Sequence, residues 1–278
     1  MSALAEHDAG SLRARAIPPR GFQGGPRARI AYTTFPGGRK RAVLLSPILP
    51  AWDEGAYFAP LLPELANAGY TTTIHDTLAL VEPGMTFADL VSAWRARLGE
   101  GMPVDLIGGA ALGGTVAQGL IAAPPFAETA RALFVSSPTV VDDALSAALR
   151  ELAGLAREVS AGACLRRLGE LVGRNDTEEG ATDAAPEDAG SQDPVAAARL
   201  ALGFSALCEV DVSPGMEAYA GRLLHVVGDA SRMVALRNVR VADPVRQHAF
   251  VVPGAGMRPL SDRGDAVRRR VRAFLADR

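Results

Sequence analysis

Two periodicities alternate along the chain. Short apolar or β-branched runs at residues 29–33, 42–45, 70–74, 104–107 and 132–135 predict strands. Between them, apolar residues recur at helical spacing. Phe58, Leu61, Leu62 and Leu65 form one such face, with Gly69 as a stop. Phe87, Leu90, Val91, Trp94 and Leu98 form the next, opened by a capping box of Thr86 and Asp89 and closed by Gly99. A third helix is predicted over 115–122. Strands alternating with helices over short connections predict an α/β chain, a mainly parallel sheet of about eight strands flanked by helices on both faces.

The alternation stops after Pro138. Residues 139–215 are helix-rich: Val141, Leu145, Ala148, Leu149 and Leu152 share a face, as do Leu165, Leu168 and Val172. Within this part, 175–193 is acidic, has no base and no apolar side chain larger than alanine, so it predicts a mobile loop. Strands resume at 223–227 and 249–252, and Val267, Val271, Phe274 and Leu275 mark an arginine-rich amphipathic helix at the end. The organisation expected is a flexible arm at 1–27, an α/β core made of 28–138 and 216–278, and a helical cap at 139–215.

Composition narrows the functional classes. Of 278 residues 48% are hydrophobic, enough for a sizeable core, and the formal net charge of −2 offers no general attraction for nucleic acid or an anionic membrane surface. Residues 106–127 carry no charge and are long enough to span a bilayer, but their glycines and prolines favour a strand, a turn and a buried helix. The first twenty residues lack the apolar stretch of a secretory signal, so a cytoplasmic protein is expected. Cys164 and Cys208 are too few for a disulfide framework, no Cys-x-x-Cys pair suggests a metal, and both predict small packing residues. Gly108, Gly109, Gly113 and Gly114 lack the lysine of a phosphate-binding loop and the spacing of a dinucleotide fingerprint, so no cofactor is expected.

The informative segment is Val104-Asp105-Leu106-Ile107-Gly108-Gly109-Ala110-Ala111-Leu112-Gly113-Gly114-Thr115. A strand enters a sharp turn and leaves as a helix, with Gly109 and Gly113 bracketing Ala111. This resembles the nucleophile elbow, Gly-x-Ser-x-Gly, of the α/β-hydrolase superfamily, with Ala111 at the serine position. The resemblance runs over roughly 28–278. Leu45-Ser46-Pro47-Ile48 falls where that family has its oxyanion-hole loop, with Trp52 shortly after, and Asp76 ends a strand as in the family. Gly228-Asp229-Ala230-Ser231 resembles the acid loop, with Ser231 at the acid position. Gly254-Ala255-Gly256-Met257-Arg258-Pro259 resembles the histidine loop, with Met257 at the base position. The resemblance therefore implies vacated triad positions at Ala111, Ser231 and Met257; Asp229 lies close enough to substitute for the acid.

Other groups are weighed as substitutes or ligand contacts. Ser46 and His75 end neighbouring strands and form a candidate dyad; the simpler account has Ser46 satisfying local backbone and His75 on the rim. Ser136 and Ser137 end a strand on the cleft side. Asp142 and Asp143 follow, as ligand contacts or helix caps. Arg232 and Arg258 flank the vacated loops and could hold an anion. His225 and His248, at the start of the last two strands, read as structural, and His7 lies in the arm. The expected ligand pocket comprises Ser46, Pro47, Ile48, Trp52, Ala110, Leu112, Ser136, Ser137 and Arg258. Three functions remain open: a pseudoenzyme that binds a small apolar or acyl-type ligand without hydrolysing it, a triad-independent cyclase or lyase of bacterial specialised metabolism, and a hydrolase using displaced residues. A protein partner or homo-oligomer is compatible with each.

Overall fold

The computed structural model describes residues 30–99, 103–172 and 193–277. The arm expected at 1–27, His7 within it, and the acidic stretch up to residue 192 lie outside the described residues.

Among the described residues, seven strands form one sheet in the order β1-β3-β2-β4-β5-β6-β7. They are β1 Tyr32–Phe35, β2 Lys40–Leu45, β3 Tyr70–His75, β4 Leu106–Ala110, β5 Arg131–Val135, β6 Arg222–Gly228 and β7 Gln247–Val252. Only β1 runs antiparallel, against β3; every other neighbour pair is parallel. The chain builds β3 on one side of β2 and then crosses back to place β4 on the other. This reversal puts the topological switch point at the carboxyl ends of β2 and β4, the place where such sheets bind ligands.

Helices cover both faces. The first is α1 (Leu62–Asn67), preceded by a tight turn at Ala56–Leu61 where Pro60 interrupts the helical pattern. Next come α2 (Phe87–Gly99) and α3 (Leu112–Ile121). Thr86 and Asp89 make the capping box the sequence predicts, the hydroxyl and carboxylate lying 2.6 Å apart and each accepting the other's backbone N–H. The uncharged segment at 106–127 divides into β4, the turn and α3, and no helix among the described residues is long and apolar enough to cross a membrane.

Among the described residues between β5 and β6 lie α4 (Asp143–Gly154), which runs on into a wider helical turn at Leu155–Val159, then α5 (Ala161–Val172), α6 (Pro194–Leu207) and α7 (Ser213–Ala218). The chain closes with α8 (Pro259–Asp262) and α9 (Gly264–Ala276). One apolar cluster, holding Trp94, Leu112, Val116, Phe134 and Val227, fills one side of the sheet and continues into α4–α6. A second, holding Leu44, Ile74, Ala110, Val135 and Phe274, fills the other. Cys164 and Cys208 are both buried and unpaired in the helical part.

Candidate active-site elbow and its cover

The turn after β4 is forced by crowding. A Cβ at Gly109 would stand 2.6 Å from the Gly113 carbonyl carbon, and one at Gly113 would stand 2.3 Å from the Ser46 carbonyl oxygen. Strand, turn and helix backbones approach so closely that only hydrogen fits at these two positions. Between them Ala111 sits at φ 46°, ψ −122°, a conformation that is costly for any residue with a Cβ. Its N–H donates to Val135 O (3.1 Å), and its carbonyl accepts from Thr115 N (3.0 Å). The bend of a nucleophile elbow is thus present, with a methyl group at its tip. Leu112 is the first residue of α3, so its N–H has no intrahelical acceptor.

The loops after β6 and β7 are stitched together. Ala230 N–H donates to Ala255 O (3.0 Å), and Asp229 N–H to Val252 O (3.3 Å). This brings together the two residues read as vacated acid and base: Ser231 Oγ lies 3.8 Å from Met257 Sδ. Asp229 is occupied elsewhere, its carboxylate accepting from Gly254 N–H at 2.7 Å at the surface. Arg258 is exposed, and Arg232 reaches the Glu170 carbonyl at 3.4 Å, joining the β6–β7 connection to the end of α5.

Ser46 and His75 do not form a dyad. Ser46 Oγ accepts from Thr77 N–H at 3.1 Å, while Thr77 Oγ1 donates to the Ser46 carbonyl at 2.7 Å. His75 is buried, which corrects the expectation of a rim residue. Its ring packs against Trp94 and Tyr32, with centroids 5.6 Å away in each case. Burial, with Arg97 adding to it, lowers its pKa to about 4, so it stays neutral through the physiological range. His225 is also displaced from its expected place. It lies in the middle of β6, fully buried against Phe134, with both ring nitrogens unpartnered and a pKa that burial lowers to about 3. The local apolar pattern carries no mark of Trp94, Tyr32 or Phe134, which come from distant elements.

Ser136 follows β5 at φ 46° with its N–H on Val226 O (2.8 Å) and its buried hydroxyl unpartnered. Val135 pairs with Ala110, which sets Ser136 beside the elbow as the next residue along the register. Ser137 packs against the elbow helix, where a Cβ at Gly114 would stand 1.9 Å from its Oγ, and that Oγ donates to Val135 O at 3.0 Å. Asp142 caps α4 through Leu145 N–H (2.8 Å) and also receives Arg237 Nε (2.7 Å). The Leu145 N–H, assisted by Arg237, holds its carboxyl below the usual carboxylate range. Asp143 is exposed in the first turn of α4, and His248 lies half-buried as the second residue of β7.

The cover over the elbow comes mainly from α6. A Cβ at Gly203 would meet Leu78 Cδ2 at 2.9 Å and Ile48 Cγ2 at 3.0 Å, so the helix backbone rests on the loop after β2. One turn earlier Arg199 donates to Asp76 Oδ1 (2.9 Å) and to the Leu49 carbonyl (3.3 Å). The Asp76 side chain is only 5% exposed, so this pair fastens helix to sheet. Sequence reasoning noted Asp76 and missed Arg199; its signal was that it is the only charged residue in α6.

This packing moves the open space away from the expected floor. One cleft, of about 320 Å³, lies between Leu78 and Val81 on one side and Val195, Ala198, Arg199 and Leu202 on the other. A second, of about 500 Å³, lies between the turn at 156–161 and the start of α6. Neither is lined by Ser46, Pro47, Ile48, Trp52, Ala110, Leu112, Ser136, Ser137 or Arg258. Ala110 and Leu112 are fully buried within the two apolar clusters, one in each, and Trp52 packs half-buried on the second. Among the described residues no three His, Cys, Asp or Glu side chains converge as a metal site requires.

Solved structures share this architecture. The Rv0554 protein of Mycobacterium tuberculosis superposes with a TM-score of 0.67 at 18% identity, covering 89% of this chain and 93% of its own. An α/β hydrolase enzyme from a Medee basin deep-sea metagenome library gives 0.69 at 11% identity, covering 90% and 94%. A bromoperoxidase from Bacillus anthracis gives 0.64 at 16%, covering 89% and 96%. No family model matches the sequence, and no curated protein matches it either. The chain has the α/β-hydrolase fold.

Proposed function

We propose that this chain is an α/β-hydrolase-fold protein without a working catalytic triad, binding a small apolar or acyl-type ligand beneath its helical cap without hydrolysing it. The observation that carries the reading is the strained bend at Ala111. The elbow conformation is kept, and the group at its tip has no atom that could attack a carbonyl. The neighbouring loops agree: a thioether does not take a proton near neutral pH, and the hydroxyl of Ser231 does not replace a carboxylate as its orienting partner. Triad members act as a unit, so even one such loss removes most acyl-transfer rate. The ligand class follows from the cleft that remains under the helical part, where Leu78, Val81, Val195, Ala198 and Leu202 offer an apolar lining and Arg199 the one charged group. Two buried thiols without a disulfide suit the reducing cytoplasm.

The test is covalent labelling of the purified chain with a fluorophosphonate probe, alongside a panel of p-nitrophenyl esters. No specific labelling and no burst are expected. Stoichiometric labelling that disappears in Ser46→Ala or Ser136→Ala would establish the displaced-residue hydrolase instead. A second reading, a triad-independent cyclase or lyase, draws on the Leu112 N–H at the start of α3, which could stabilise an oxyanion together with the backbone at Ile48. A compound that co-purifies from the native host and is converted on incubation would favour it.

A further inference from the structure

We infer that the ligand held under the helical part is an uncharged aliphatic carbonyl compound, seated in the cleft along α6 with its oxygen on Arg199, and that chains ending in a carboxylate are refused there. This rests on the proposed reading of a ligand bound without hydrolysis, and fixes that ligand's charge. The cleft of about 320 Å³ has room for about ten groups the size of a water molecule, at roughly 30 Å³ each. One of its walls is the stripe Val195, Ala198, Arg199 and Leu202, whose i, i+3, i+4, i+7 spacing puts all four on one face of α6. Leu78 and Val81 form the opposite wall. A single aliphatic chain fits such a space, and Arg199 alone in the lining can bind a polar end.

The chemistry of that end follows from what Arg199 already holds. Its Nε–H goes to the Leu49 carbonyl (3.3 Å) and an Nη2–H to Asp76 Oδ1 (2.9 Å). Nη1 donates to no group among the described residues and is not sealed from solvent, the side chain being 21% exposed. A guanidinium without a counter-charge would favour a carboxylate. Here Asp76 stands behind it, buried and outside the cleft lining. The cation faces the cleft, the anion backs it, and the pair carries no net charge.

The start of α6 is matched in the same way. It borders the cleft at Pro194 and Val195, and a helix start with free N–H groups attracts anions. Pro194 has no N–H. Val195 N–H donates to Asp193 Oδ1 at 2.8 Å, and Ala197 N–H to the Asp193 carbonyl at 3.0 Å. Glu82, next to Val81 of the opposite wall, adds an exposed carboxylate. A carboxylate head would leave water to meet a cation already paired, with Asp76, Asp193 and Glu82 around it. A carbonyl oxygen avoids that cost and still accepts the Nη1–H.

Equilibrium dialysis of the full chain against methyl nonyl ketone, undecanoate and undecane compares an uncharged acceptor, an anion and no acceptor at one chain length, at about pH 8 where the carboxylate is ionised. The ketone should bind about tenfold more tightly than undecanoate, and more tightly than undecane. Asp76→Asn keeps the shape and leaves the Arg199 charge unmatched, so the preference should move toward undecanoate by about tenfold. Arg199→Met should erase the ketone's advantage over undecane, which carries the test independently of how Asp76→Asn folds. Ala198→Trp fills the cleft from an exposed helix position and should abolish ketone binding at an unchanged melting temperature. Undecanoate bound as tightly as the ketone, a preference that Asp76→Asn does not move, an advantage over undecane that survives Arg199→Met, or ketone binding untouched by Ala198→Trp would each overturn the inference while leaving the ligand-binding reading in place. No binding of any of the three compounds would overturn both.

Discussion

An alanine held at φ 46° is disfavoured by about 1–3 kcal/mol relative to an ordinary backbone. Glycine escapes most of that penalty, so Ala111→Gly should raise the unfolding free energy by about 1 kcal/mol in urea titrations; a decrease would mean that the methyl group packs usefully in the bend. His225 gives a second test. Both its nitrogens are buried without partners, and such groups commonly cost about 1–3 kcal/mol. His225→Leu should therefore stabilise the protein by about 1 kcal/mol, and a destabilised variant would point to an acceptor hidden beside the ring. At this scale the sequence was informative where spacing alone decides, as with Gly109 and Gly113 around Ala111. It was uninformative where a side chain's fate depends on distant rings, as with His75 beneath Trp94.

Among the elements, α6 decides how the crevice is covered. Its backbone approaches Ile48 and Leu78 at Gly203, and Arg199 ties it to Asp76. Gly203→Val should overpack this contact and cost about 1–3 kcal/mol, with earlier proteolysis in the helical part as the accompanying readout. Arg199→Met leaves the Asp76 carboxylate with the Leu78 N–H and no cation. A loss of about 2 kcal/mol is expected, recovered in part by adding Asp76→Asn; additive losses in the double variant would show that the pair is not coupled. Element types followed from periodicity, but boundaries did not. The third helix begins at Leu112, earlier than the predicted 115, because Gly113 and Gly114 lie inside its first turn. These glycines weaken a helical pattern in sequence, yet the close strand–helix packing requires them. The strand expected from residue 104 starts at Leu106, after Asp105 turns its carboxylate to Arg41 N–H at 2.7 Å.

For the whole molecule, acid is the sensitive direction. His75 and His225 have folded pKa values of about 4 and about 3, against roughly 6.5 in an unfolded chain. Above pH 6.5 both are neutral in either state and contribute no pH dependence. As pH falls below 6.5 the unfolded chain takes up protons that the fold refuses. Stability should drop by up to about 1.4 kcal/mol per pH unit for each histidine, until the folded values are reached. Urea midpoints at pH 7 and pH 5 should converge in His225→Leu by about half of the wild-type difference; an unchanged difference would remove His225 from the account. The alternation of strands and helices made this architecture legible, whereas the location of open space was not, since it depends on how one helix seats on a loop 150 residues away. The crowding around the elbow has one more consequence. Four backbone segments lock that corner in place, so neither flanking glycine can change without rebuilding it, while Ala111 at the tip of the bend carries only a methyl group. The corner behaves as a rigid mount with an interchangeable tip, and a chemist seeking to install a new reactive group would find the scaffold already shaped to hold it.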